Sequence, residues 1–394
     1  MSKRLLSIFI VVITAFSCIN MTGCDVEEDE FPVLYFPEGA TQTQITSVEP
    51  DSTSDNFHEL TVALPLSEET VNLLMKLYYA KNNDLFPVEM TGADISIEYL
   101  SAINTPWVVN TITTTSTGET SSTLDTLEEQ GIVPDLYIAS DMNELASQGR
   151  IVTFDAYLSN DDSILSSTVY LNALEALRTE QGHYGLPFYS TVYMLTGSRE
   201  YLPEQGVPEY IMSEEGLYDY IRSIPSYNSD GSTYVTRFYD ADSLIPFMGE
   251  EFSSDLHNDG LTSNADAYGA DPRVSRLCGM WLMNSAEVDT WNYYYPDGLY
   301  YTMLPTSNVN AVVYPICLSS SSADPDFASG FASFICFDRD AQMLMRRLES
   351  LRGFFPPVNS RGVWDQISSD ELFGAQSMLY EQYMNDAVYT VAKD

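Results

Sequence analysis

The chain has 394 residues and a formal net charge of −40 at pH 7, because 57 acidic residues outnumber 17 Lys and Arg. A negative field of this size repels nucleic-acid backbones and anionic membrane surfaces, and it disfavours anionic ligands. The hydrophobic share of 44% excludes a disordered tail, and the length suits two lobes that each bury a core.

The first residues are typical of an export signal. Lys3 and Arg4 precede an apolar run over residues 5–16, which is too short to span a bilayer. The sequence MTG then leads directly into Cys24 and resembles the lipobox of bacterial lipoproteins, with methionine in place of the usual leucine. The resemblance implies that residues 1–23 are a cleaved signal peptide and that Cys24 is diacylated. The alternatives are ordinary cleavage that leaves Cys24 free, or a signal that is not cleaved.

The tether and the start of the folded part follow. Residues 24–57 are rich in acids, Ser and Thr without clear periodicity, which predicts a flexible acidic tether. From His58 the sequence HELTVALP alternates apolar and polar residues, as a strand does. Ser67 can then begin a helix, with Glu68 and Glu69 at its positive end.

Two more strands are predicted downstream. The sequence ADISIEYL, residues 93–100, alternates like a strand, and the Ser/Thr-rich residues 110–123 indicate a loop or a weak helix. The sequence PDLYIAS predicts a third strand; Asp141 can cap the next helix and Gly149 can end it in the left-handed conformation.

Strands that alternate with helices predict an α/β fold with a parallel-rich sheet. Ligands of such sheets bind at the carboxyl ends of the strands. In this sequence those ends are expected at residues 66–68, 101–104 and 140–141.

The sequence offers little for catalysis or metal binding. Cys278, Cys317 and Cys336 are odd in number and lack metal-ligand spacing, so buried thiols are expected. The chain has three His residues and no nucleophile elbow, HExxH or phosphate-binding loop. A chain this acidic offers many carboxylate pairs of the kind that a glycosidase uses, but nothing in the sequence indicates a catalytic pair. We therefore predict a protein that is not an enzyme and needs no cofactor.

One set of motifs carries a family resemblance. The stretches are GIVPDLYIASDMNELASQGRIVTFDAYL, GHYGLPFYSTVYMLTGSREYLPEQGV, MWLMNSAEVDTWNYYYPDGLYYTMLPTS, AVVYPICLSSSSADPDFASGFASFICFDRDAQ and GFFPPV. In this order they resemble family 1 extracellular solute-binding proteins, the maltose-binding-like proteins of carbohydrate ABC transporters. The matching positions are Pro134, Asp135, Gln148, Gly149, Tyr184 to Pro187, Gly206, Leu304 and Pro305. The similarity covers about residues 58–360.

The resemblance implies a type II periplasmic-binding-protein-like fold, with two α/β lobes around a cleft that closes on a solute. The first lobe would comprise residues 58–187 and about 306–340, and the second residues 188–305 and about 341–394. The implied function is a lipid-anchored, monomeric binding component on the extracellular face of the cytoplasmic membrane. It would deliver a sugar or oligosaccharide to ABC permease subunits and bind no nucleic acid.

The sequence departs from the family pattern at two places. Asn284, Ser285 and Ala286 stand where the family often has Gly-Ser-Trp or Gly-Pro-Trp, so the ring that stacks on a sugar is missing. Tyr314 lies in a strand before which the family has glycine. Both departures weaken the assignment to sugars more than the assignment to solute binding.

A neutral sugar needs carboxylates and amides beside flat aromatic rings. The candidate ligand-binding residues are Glu68, Asp141, Tyr189, Thr191, Trp281, Asn284, Ser285, Trp291, Tyr293 and Tyr314. Glu68 and Asp141 have helix capping as an alternative role, and the aromatic residues have core packing.

Two other interpretations remain open. Residues 255–266 loosely match a calcium loop, but a solvated acidic loop is the simpler reading. A surface lipoprotein that has lost transport, and acts as a sensor partner or adhesin, is the alternative function.

Overall fold

The protein is a mixed α/β structure built around one large sheet. The computed structural model describes residues 57–86, 95–114, 121–139, 141–158, 169–203, 206, 211, 213–227, 231, 233–263, 271–295, 298–306, 309–349, 351–370, 374, 380–381 and 384–392. The predicted signal peptide, Cys24 and nearly all of the tether lie outside these residues.

The strands of the described residues are numbered in chain order. They are β1 His58–Leu64, β2 Trp107–Thr113, β3 Leu136–Ile138, β4 Ile151–Val152, β5 Arg178–Thr179, β6 Gly182–His183, β7 Gly185–Ser198, β8 Thr236–Tyr239, β9 Thr262–Ser263, β10 Cys278–Asn284, β11 Leu299–Thr302, β12 Asn310–Ser319 and β13 Val388–Val391.

The helices flank this sheet. They are α1 Glu68–Asn82, α2 Ile97–Ala102, α3 Ser121–Glu129, α4 Met142–Ser147, α5 Asp155–Leu158, α6 Leu171–Glu175, α7 Glu214–Ser223, α8 Ile245–Asn258, α9 Val288–Tyr294, α10 Pro325–Phe337, α11 Arg339–Leu348 and α12 Arg361–Ser368. Short 3₁₀ turns occur at Arg199–Tyr201, Ala241–Leu244, Ser285–Glu287 and Met384–Asp386.

The sheet runs in the order β2-β1-β3-β12-β7-β10-β8-β9. Strand β1 is parallel to β2 and β3, and β10 is parallel to β8, whereas β7 is antiparallel to both β12 and β10. The predicted α/β class is confirmed, and the antiparallel strands lie where the two parallel groups meet.

Strand β7 connects the two halves of the sheet. Its first part pairs with β12 as far as Val192, and its second part, from Tyr193, pairs with β10 and β11. A strand that pairs with different partners at its two ends carries the chain from one group of strands to the other, so β7 is a crossover strand.

The first predicted unit is confirmed. Leu60, Val62 and Leu64 of β1 are fully buried, and the side chain of Ser67 accepts the amide hydrogen of Thr70 at the start of α1. Two acids in the first turn of α1 complement its helix dipole.

The prediction of a strand over residues 93–100 is wrong. The side chain of Ser96 caps a helix instead, by accepting the amide hydrogen of Tyr99, and this helix is α2. The second strand is β2, which lies partly in the stretch expected to be a loop. Its β-branched residues pair in register with β1, and this pairing outweighs the weak local pattern. The strand end expected at residues 101–104 is therefore the end of a helix.

The third unit is confirmed in its main features. Strand β3 lies within PDLYIAS, and Gly149 has φ of +70° after α4. Asp141 occupies the N-cap position of α4, although its side chain accepts no capping hydrogen bond. Ser140 lies outside the described residues.

Buried side chains form separate clusters on the faces of the sheet. One cluster packs α1, α10 and α11 against β1, β3 and β12. Another packs α7 and α8 against β8 and β10, and a third surrounds Trp281 and Trp364. Leu344 and Met345 of α11 belong to the first cluster. The predicted lobe boundaries remain a prediction.

The expectations about cysteines and the acidic loop can also be compared with the structure. Cys278, Cys317 and Cys336 are buried free thiols, as predicted. Asp255 and His257 lie in the last turn of α8 rather than in a loop, and Asp266 is outside the described residues. Among the described residues, no group of acidic, His or Cys side chains is arranged to hold a metal, and no helix has the length and apolarity needed to cross a membrane.

Candidate functional site

Five polar side chains lie on one face of the strands that join the two halves of the sheet. Alternate residues of a strand share a face, so Tyr189, Thr191 and Tyr193 of β7 lie together. Tyr314 of β12 is paired with Tyr189, and Asn284 of β10 is paired with Tyr193. We call these five residues the crossover stripe.

The two tyrosines at one end of the stripe are packed rather than open. The rings of Tyr189 and Tyr314 are 5.1 Å apart, and Phe354 covers Tyr189 at 4.6 Å. Their exposed fractions are only 3% and 7%. Burial raises the pKa of both phenols above its ordinary value, which already lies well above neutral pH, so both stay neutral hydrogen-bonding groups.

A hydrogen bond joins two strands at the centre of the stripe. The side-chain amide of Asn284 donates to the Thr191 hydroxyl at 3.0 Å, and its oxygen accepts the amide hydrogen of Ala286 at 2.9 Å. Thr191 is fully buried, whereas Asn284 is half-buried. Of these two predicted ligands, Asn284 has the more accessible polar group.

The other end of the stripe contains an aromatic pair that the sequence analysis missed. The half-buried ring of Tyr193 lies 5.0 Å from Phe247, which belongs to the first turn of α8. Period-two spacing from Tyr189 and Thr191 could have identified Tyr193. Phe247 is 54 residues further along the chain and carried no local signal.

Ser285 has a structural role in the described geometry. Its hydroxyl accepts the amide hydrogen of Val192 at 3.0 Å and donates to the carbonyl oxygen of Gly353. It is fully buried. These bonds fix the turn after β10 against β7 and against the segment that contains Gly353.

Three other predicted residues are not part of the stripe. Trp281 lies three residues before Asn284 on β10, and side chains an odd number of positions apart on a strand face opposite sides of the sheet. Trp281 is fully buried on that opposite side, against Trp291. Trp291 donates its ring N–H to Glu287 at 2.8 Å. Tyr293 is 83% exposed on α9.

The two predicted acids lie at the carboxyl edge of the first half of the sheet. Glu68 is exposed and begins α1 shortly after β1, and Asp141 is half-buried and precedes α4 shortly after β3. Because β1 and β3 are parallel neighbours, these positions share one edge. The structure therefore agrees with their predicted placement at strand ends, while their role as ligands stays a prediction.

Structural comparison relates this arrangement to proteins of known type. An ABC substrate-binding protein from Listeria monocytogenes, solved with cycloalternan, has a TM-score of 0.58 and 12% identity, over 85% of this chain and 88% of its own. The sugar-binding protein MalE from Xanthomonas citri gives 0.56 and 12%, over 84% and 86%. An extracellular solute-binding protein from Staphylococcus aureus, solved with maltose, gives 0.52 and 13%, over 85% and 88%.

The chain has the fold of the extracellular solute-binding proteins. The similarity spans most of each chain, so it includes both halves of the sheet and the strands between them. The fold predicted from the motif order, a two-lobed α/β type II binding-protein fold, is thereby confirmed. No protein-family model and no curated protein sequence matches the chain.

Proposed function

We propose that this protein is the solute-binding component of an ABC importer, anchored outside the cell through Cys24, and that its solute is a carbohydrate. Closure of the two lobes around the solute would present it to permease subunits. Only a difference in affinity between the open and closed forms can drive that closure. Catalysis and cofactors are not needed for this role.

The observation that carries the proposal is the position of the crossover stripe in this fold. The stripe lies on the strands that link the two halves of the sheet, and it combines hydroxyl groups, an amide and aromatic rings. Neutral sugars present hydroxyl groups and apolar C–H faces, which such groups can bind. Structural relatives that were solved with cycloalternan and maltose support the same solute class.

The pair formed by Tyr193 and Phe247 offers a replacement for the ring missing from the turn after β10. It lies on the same face as Asn284, whose register partner is Tyr193. We infer that a sugar ring would stack here while Asn284 binds its hydroxyl groups, with Glu68 and Asp141 contributing from the first lobe. Thr191, Ser285, Tyr189 and Tyr314 would support these groups from beneath.

A thermal-unfolding screen against monosaccharides, oligosaccharides, amino acids and peptides tests the proposal. A solute that binds only the folded protein stabilises it by about 2.7 kcal/mol at 100 times its Kd. We expect carbohydrates to raise the melting temperature. Asn284→Ala should weaken carbohydrate affinity about tenfold, because one hydrogen bond to the solute is lost.

Asn258→Ala, at the exposed end of α8, is the matched control and should bind as the wild type does. If amino acids or peptides stabilise the protein and carbohydrates do not, the solute class is wrong. If no small solute binds, the alternative of a surface sensor partner or adhesin is favoured.

A further inference from the structure

A polar cavity of about 200 Å³ lies beside the segment that follows α11. Its lining includes Arg346, Glu349, Arg352, Gln366 and Asp370. This cavity is distinct from the crossover stripe, because none of the five stripe residues lines it.

Arg346 is the unusual member of this lining. Its Nη2 donates to the carbonyl oxygen of Phe354 at 2.6 Å, and its Nη1 lies 3.5 Å from that of Leu351. Its Nε is closed off from solvent and has no acceptor among the described residues. Burial lowers the pKa of Arg346 to about 9, which indicates that its positive charge is poorly compensated.

The two acids that line the cavity, Asp370 and Glu349, already have other partners. Asp370 forms an ion pair with Arg352 at 2.7 Å, and Arg352 also pairs with Asp289. Glu349 accepts from the amide and the hydroxyl of Ser67, at 2.8 and 2.6 Å, and from the hydroxyl of Thr70. Although the chain carries 57 acids, no described carboxylate forms an ion pair with Arg346.

Gln366 supplies a second unsatisfied group in the same cavity. Its side-chain oxygen is buried and accepts no hydrogen bond from the described residues. A buried acceptor without a donor is costly, as is a buried guanidinium N–H without an acceptor. The two groups are complementary: one needs an anionic or polar acceptor, and the other needs a donor.

We propose that this cavity is a binding site for a small hydroxy acid, and that the side chains of Arg346 and Gln366, whose unsatisfied atoms are buried as the structure places them, turn toward the bound molecule. Its carboxylate then accepts from Arg346 and its hydroxyl donates to Gln366. Guanidinium groups bind carboxylates through strong charge-assisted hydrogen bonds. The acidic surface of the protein slows the approach of an anion, but the local charge of Arg346 attracts it inside the cavity.

The test is calorimetric titration of the full protein, without sugar, against four small probes. Glycolate and glycerate carry both groups, acetate lacks the hydroxyl, and ethylene glycol lacks the charge. We expect the hydroxy acids to bind about tenfold more tightly than acetate, and ethylene glycol to give no signal. Equal binding of ethylene glycol and glycolate, or no binding of any probe, would overturn the proposal.

Variants assign the contacts. Gln366→Glu places a carboxylate inside the cavity, so it should abolish hydroxy-acid binding and raise the melting temperature. Gln366→Leu should abolish the preference for glycolate over acetate and retain acetate binding. Arg361→Gln, whose side chain is 93% exposed, is the control and should bind as the wild type does. Unchanged glycolate binding by Gln366→Glu would refute the site even if Arg346 variants do not fold.

Discussion

At the scale of single residues, Gly353 joins two parts of the binding-protein fold. Its φ of +79° is a conformation that side-chain-bearing residues rarely adopt. A Cβ at this position would lie 1.9 Å from the carbonyl oxygen of Ser285. The chain after α11 can therefore approach the turn after β10 only because residue 353 has no side chain.

Gly353→Ala should lower the free energy of unfolding by about 3 kcal/mol, because backbone strain and a backbone clash act together. Gly149→Ala is the control, since Gly149 has a similar φ of +70° but no atom within 4 Å of the added Cβ. It should cost about 1 kcal/mol. Urea unfolding of both variants measures the difference, and equal losses would show that the contact with Ser285 has no energetic importance.

The prediction of the binding-site residues was correct about their strands but not always about the face of the sheet on which they lie. Tyr189, Thr191, Asn284 and Tyr314 were chosen for their positions in motifs, and the structure brings all four onto one face. Trp281 was chosen in the same way, but it lies three residues before Asn284 and therefore faces the other side of β10. A motif therefore indicates which strand a residue belongs to. Whether the residue lies on the binding face depends on whether it is an even or an odd number of positions from the other site residues along that strand.

At the scale of elements, the start of α11 is fixed by one carboxylate. Asp338 accepts the amide hydrogens of Asp340 and Ala341 at 2.9 and 3.0 Å, and Lys81 of α1 binds it at 2.8 Å. Asp338 therefore caps α11 and also joins it to α1. This helix leads into the segment that contains Gly353.

Asp338→Ala should reduce the free energy of unfolding by about 1 to 2 kcal/mol, because the cap and the ion pair are lost together. Asp338→Asn should lose less, since an amide oxygen can still cap the helix. Denaturant unfolding compares the two variants with Asp365→Ala on the exposed face of α12. An Asp338→Ala variant as stable as Asp365→Ala would contradict the assigned role.

Elements with their own start signals were predicted correctly, and elements that depend on partners were not. Strand β1 and helix α1 follow from alternation and from the Ser67 cap, both of which are local. Strand β2 has weak local periodicity and forms because its whole length pairs with β1, about 50 residues earlier in the chain. Residues 93–100 alternate like a strand, but Ser96 caps a helix there, and the helix forms instead of the predicted strand.

At the scale of the whole molecule, the net charge of −40 opposes compaction. We expect the melting temperature to rise when NaCl is increased from 10 mM to 150 mM. The Debye length falls from about 30 Å to about 8 Å over this range, so repulsion between distant carboxylates is screened. A neutral osmolyte at equal osmolality is the control, and a salt effect no larger than its effect would show that self-repulsion is negligible.

The sequence alone determined the α/β class, the order of the motifs, the burial of the three free thiols and the strand ends that carry Glu68 and Asp141. These properties depend on local periodicity, capping and composition, which neighbouring residues determine. Only the tertiary structure decided that Thr191 meets Asn284, that Gly353 meets Ser285 and that Phe247 lies beside Tyr193. Such contacts join residues more than 50 positions apart, and their geometry is set by strand register and helix packing, which no local pattern encodes.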